Sequence, residues 1–123
     1  MLNASILIFV LGMACQQPDD QSADQKQLDH MLQEIQSLST SVKCTEAKGW
    51  AYVAYGSKAC GGPVGYIAFH TSIDTNNFLD LVEQYTSSMK AFNEKYGAIS
   101  DCSVPSKPSG VECIEGKPIF TYN

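Results

Sequence analysis

The sequence predicts an α+β fold: a small, mainly antiparallel sheet of about four strands, with two amphipathic helices packed on it and disulfides to stiffen it. Three observations carry this. Apolar residues recur at three- and four-residue intervals in two well-separated stretches, the signature of amphipathic helices. Runs of aromatic and β-branched residues come in two pairs, each joined by a loop too short for a crossover, which implies antiparallel neighbours. Cysteines stand at four positions in the body of the chain, Cys44, Cys60, Cys102 and Cys113. The element order is therefore α-β-β-α-β-β.

The first helical stretch runs from Asp24 to Lys43, where Leu28, Met31, Leu32, Ile35, Leu38 and Val42 make one apolar stripe. Trp50 to Tyr55 and Val64 to His70 read as strands around a loop of residues 56–63, which contains Gly61, Gly62 and Pro63. Both glycines accept positive φ, and Pro63 has no N–H for a ladder. The second helix is the most fully specified element. Asp74 is an N-cap, Ile73 before it can staple onto Phe78, and Gly97 stands where a left-handed C-terminal residue is wanted, which bounds the helix near 75 and 96. Its apolar face is Phe78, Leu81, Val82, Tyr85, Met89, Phe92 and Tyr96. Residues 98–110 carry Pro105 and Pro108 and read as a loop. Val111 to Ile114 and Pro118 to Tyr122 form a closing hairpin, and Pro118 favours an edge position for the last strand.

Composition narrows the function. With 123 residues there is room for one domain. Five Phe and six Tyr suit a packed body rather than a disordered one. The chain has no Arg, and its formal net charge of -5 repels a polyanion, so nucleic acid is not an expected partner.

The N-terminus carries an address. Ile6 to Leu11 is an uncharged apolar run, too short to span a bilayer and suited to the hydrophobic region of a signal peptide. Leu11-Gly12-Met13-Ala14-Cys15 resembles the lipobox of bacterial lipoproteins: Ala14 and Cys15 match the pattern, while Gly12 stands where Leu is usual. The resemblance implies acylation of the Cys15 thiol, cleavage before it and a lipid anchor in the membrane. Multiple acyl chains would make dissociation slow, at about 0.8 kcal/mol per buried methylene. In that family Gln16 after the cysteine implies sorting to the outer membrane, on its periplasmic face or at the cell surface. Residues 16–25 are polar and acidic, and they read as a tether. The expected organisation is a signal peptide over 1–14, a lipidated tether over 15–25 and one domain over 26–123.

Cysteine arithmetic agrees with this address. Five is an odd number, and an acylated Cys15 leaves an even set for an oxidising compartment. Four cysteines allow three connectivities. The local arrangement, Cys44 with Cys60 and Cys102 with Cys113, is favoured because each bond closes a short loop. Zinc is not expected, since there is no C-x-x-C pair and neither His30 nor His70 stands at ligand spacing from a cysteine.

No catalytic constellation stands out, and no cofactor is implied. His70 at a strand end and His30 on a helix flank read as structural or solvated. Gly61-Gly62 lacks the spacing of a phosphate loop and leads into a strand. Asp19, Asp20 and Asp24 lack the oxygen spacing of a calcium loop. The aromatic group Trp50, Tyr52, Tyr55, Tyr66 and Phe69 invites another reading. Alternation puts Trp50 and Tyr52 on one sheet face and Tyr55 on the other, so an exposed part of the group beside Gly61, Gly62 and Pro63 is a candidate recognition surface.

Tyr55-Gly56, Ala59-Cys60-Gly61-Gly62-Pro63, Ser100-Asp101-Cys102, Cys113 and Gly116-Lys117-Pro118 together are similar to a group of small exported cysteine-containing bacterial proteins, a likeness that spans residues 44–122 and implies no activity. The expected function is that of a non-enzymatic envelope lipoprotein that binds an envelope or extracellular protein. The alternative is a secreted protease or hydrolase inhibitor that inserts the 56–63 or 103–110 loop into its target.

Overall fold

The computed structural model describes residues 20–123 together with Gly12. The element order is α1 (Asp20–Ser39), β1 (Trp50–Tyr55), β2 (Gly65–His70), α2 (Thr75–Tyr96), β3 (Gly110–Ile114) and β4 (Lys117–Thr121), an α+β fold in the expected order. The four strands form two separate antiparallel hairpins rather than one sheet: β1 pairs with β2, and β3 with β4.

The core lies between the helices and one face of the first hairpin. Leu28 and Ile35 of α1, Phe69 of β2, and Phe78, Val82 and Tyr85 of α2 form its buried centre. Phe69 and Phe78 stack with ring centroids 4.8 Å apart. β1 contributes Ala51, Val53 and Tyr55 to this face, following the period of two.

Helix α2 has the bounds its caps imply. The Asp74 carboxylate accepts from Asn77 N–H at 3.1 Å, Ile73 packs against the core, and Gly97 takes the left-handed conformation with φ 58°. Helix α1 departs from expectation at both ends. It begins at Asp20, so residues 20–25 are helical instead of belonging to the tether. An aspartate in the first turn suits the helix dipole, and Asp24 is fixed by Lys95 Nζ at 3.0 Å and Tyr96 OH at 2.5 Å. It ends at Ser39 rather than Lys43 although Val42 continues the apolar spacing. The hydroxyls of Thr40 and Ser41 donate back to the carbonyls of Gln36 and Leu38 at 2.9 and 2.7 Å, competing with further helical bonds.

The disulfides join Cys44 to Cys113 and Cys60 to Cys102, nested one inside the other. This corrects the local pairing. Cys44 precedes β1 and Cys60 follows it, and six extended residues rise roughly 3.3 Å each, whereas bridged Cα atoms lie within about 7 Å. The observed bridges have Cα separations of 5.3 and 5.6 Å. The chain reaches them by folding β3 and β4 back over the outer face of the first hairpin. Cys44 N–H donates to Gly116 C=O at 3.0 Å beside the bridge.

Candidate functional site

The aromatic residues singled out from the sequence do not form one patch. Tyr55 faces inward against Tyr85, with centroids 6.3 Å apart. Tyr52 is on the outer face, as alternation requires, but the second hairpin occupies it: its ring meets Tyr66 and Phe120 edge-on at 5.9 Å each, and its hydroxyl donates to Pro108 C=O at 2.7 Å. Trp50 lies at the start of β1, edge-on to His70 at 5.3 Å. Gly61 and Gly62 are exposed, with φ of 94° and 81°, at the tip of the turn that Pro63 leaves.

That turn is firmly held. Gly56 N–H donates to Thr86 Oγ1 at 3.0 Å, and Asn93 Nδ2 donates to Ser57 C=O at 2.7 Å, so the turn lies along the C-terminal half of α2. Lys58 Nζ crosses to Asp101 Oδ1 at 2.8 Å and to Ser103 C=O at 2.7 Å, beside the Cys60–Cys102 bridge. Lys58, with Ser103 N–H and Oγ, holds the Asp101 carboxyl down at about 2. The two loops considered for inhibition are therefore joined to each other.

His70 serves its turn. Its Nδ1 accepts from Ser72 N–H at 3.1 Å and lies 2.7 Å from Ser72 Oγ, so this nitrogen's lone pair is engaged locally. Its Nε2 side closes on Gly49, where a Cβ would come within 2.6 Å of it. His30 is exposed on α1. Among the described residues no group of three or more His, Cys, Asp and Glu is placed to hold a metal, and no helix is long and apolar enough to cross a membrane. Cys15, Gln16 and Asp19 lie outside the described residues.

The two-hairpin arrangement creates a feature that sequence reasoning missed, an open groove of about 770 Å³ between β2, β4 and the residues that follow α1. Val42, Tyr66, Ala68, Pro118, Ile119 and Phe120 give it an apolar lining, and Ser39, Thr40 and Lys43 add polar groups at one end. Backbone chemistry distinguishes it from a simple apolar depression. Thr71 N–H donates to Gly49 C=O, so antiparallel alternation makes 51/69, 53/67 and 55/65 the bonded pairs, and Tyr66 and Ala68 turn their N–H and C=O groups outward. Ser39 Oγ donates to Ala68 C=O at 2.6 Å from that side. In the second hairpin Glu115 and Gly116 both have positive φ, 52° and 79°, the pattern of a two-residue type I′ turn. Ile114 and Lys117 then bond to each other, and Pro118 and Phe120 point their backbone groups outward. This is the position in which a strand tolerates proline. Pro118 in the sequence signalled the edge; nothing local signalled that the edge would face β2.

No protein-family model matches the chain, and neither a curated protein nor a solved structure matches it.

Proposed function

We propose that the chain is a lipid-anchored, non-enzymatic envelope protein whose head presents the β2/β4 groove to an extended segment of a partner protein. The observation that carries the anchored reading is the closed pairing of the four body cysteines, which leaves the Cys15 thiol outside the disulfide framework and free for acylation. Two bridges also suit an oxidising compartment outside the cytosol. The binding reading is supported by the outward N–H and C=O groups of Tyr66 and Phe120, because an added strand takes its affinity from such groups and its specificity from flanking pockets. The joined loops at 56–63 and 103–110 carry the alternative, inhibition of a hydrolase; the exposed tip of the first, at 59–62, is Ala-Cys-Gly-Gly and has no long side chain to fill a target's pocket.

Mass spectrometry of the protein purified from membranes tests the anchor. A mature N-terminus at Cys15 bearing acyl chains is expected, and an unmodified Cys15 or another N-terminus overturns it. Hydrogen exchange tests the groove: the amides of Tyr66 and Phe120 should exchange freely in the isolated protein and become protected in its complex. Recovery of a hydrolase that loses its activity when bound, with protection confined to the 56–63 loop, would favour inhibition instead.

A further inference from the structure

The bond of Asp24 to Lys95 and Tyr96 places the start of α1 beside the end of α2. Residues 98–104 continue from that end as a turn, fixed by the Cys60–Cys102 bridge and by Lys58 on Asp101 and Ser103. A turn so firmly held nevertheless projects two branched aliphatic side chains into solvent: Ile99 is 97% exposed and Val104 85%. Other large apolar residues on the surface, such as Leu79 at 37% and Ile119 at 42%, are far less exposed. Isolated surface aliphatics are ordinary, but two nearly bare ones flanking one stapled turn call for a covering partner.

The length of chain outside the described residues says what that partner is. Only five Cα steps separate Cys15 from Asp20, a reach of at most about 18 Å when fully extended. Acylated at Cys15, the protein is held with the start of α1 close to the bilayer, and the 98–104 turn shares that end. Lys58 and Lys95, which flank the turn, are each paired with a carboxylate, so attraction to anionic headgroups is not its chemistry. We propose that Ile99 and Val104 insert into the headgroup boundary of the membrane as apolar contacts, orienting the head on its anchor. This rests on the acylation of Cys15. Its structural consequence is a place for the groove: Ser39, at the other end of the 20-residue α1, lies about 30 Å away along the helix, so the groove stands at the end of α1 remote from the anchor.

The test uses the mature protein purified from membranes and reconstituted into phosphatidylcholine vesicles containing brominated acyl chains, which quench nearby tryptophan. Trp50 is the only tryptophan of the chain and lies beside His70, ahead of the α2 N-cap and so at the opposite end from Tyr96. It should keep its emission. Ile99→Trp in a Trp50→Phe background should lose most of its emission, and adding Val104→Asp should restore much of it. Equal emission from the two positions in vesicle-bound, acylated protein overturns the membrane contact while leaving the anchor intact. Quenching absent at position 99, with an emission shift that grows with protein-to-lipid ratio, assigns the apolar pair to a second copy and also overturns it. Absence of acyl mass on the Cys15 peptide is the separate result that removes the anchor itself.

Discussion

Residues 20–97 and residues 98–123 are held by different physics. The first region contains every member of the buried core, from Leu28 to Tyr85, together with the partly buried side chains packed around it. The second contributes none of them, and Pro108 is its one buried residue. It is attached by two disulfides, by the Tyr52 hydroxyl, by Lys58 and by the bond from Cys44 N–H to Gly116 C=O. A helix pair over one hairpin can close a core alone, whereas a lone hairpin is marginal in water. The second hairpin is therefore a wrap stapled to a core, and the groove is the seam between them.

Removing the centre of the core should have the largest effect. Phe78 is fully buried against Phe69, and Phe78→Ala should cost about 3–5 kcal/mol, read as a fall in the urea midpoint. Loss of both regions together is expected, because the wrap has nothing else to dock on. Next is the outer of the two nested staples: Cys44→Ala with Cys113→Ala opens a bridge of sequence separation 69 and should cost roughly 4 kcal/mol on the chain-entropy model. Here the regions should separate. Amides of 110–121 should lose protection from hydrogen exchange while those of α1 and α2 keep theirs; simultaneous loss would refute the division.

A smaller effect sharpens the same comparison. Tyr52→Phe deletes one hydroxyl and leaves the Pro108 carbonyl without that donor, which should cost about 0.5–1.5 kcal/mol. The change should appear in the exchange of 109–121 and scarcely in the core.

What could be read in the sequence divides along the same line. Helix α2 was legible to the residue because Asp74 and Gly97 are local devices, each acting within one turn of itself. The face alternation of Trp50, Tyr52 and Tyr55 was legible for the same reason. The start of α1 was obscured because Asp20 and Asp24 have the composition of a tether; what gives Asp24 a place in the fold is Tyr96, 72 residues away. The nested bridges could have been anticipated in part, since the strand expected between Cys44 and Cys60 already made their union a stretch. Sequence offered no comparable sign that β3 and β4 would pair only with each other and leave an open seam against β2. That outcome depends on Tyr52 meeting Phe120 and Pro108 across the fold.

The smallest expected effect lies where the wrap begins. Lys58, then the Ser103 hydroxyl and N–H, hold Asp101 at about 2, against an ordinary value of 3.8. A lowered folded-state value means the unfolded chain takes up the proton first on acidification. The contribution of this lock is thus complete above about pH 4 and is lost as pH falls through 2. Because the carboxylate is exposed, the loss should be local: the 98–104 turn loosens while the core stays folded. Carboxyl titration followed by NMR should give Asp101 a midpoint near 2, and Lys58→Ala should return it toward the ordinary value. The Cys60–Cys102 bridge keeps the turn from leaving altogether, so reduction at pH 2 should release residues 98–104 where either treatment alone only loosens them. If acid alone frees the turn completely, the covalent staple contributes less to this end of the wrap than the ion pair beside it.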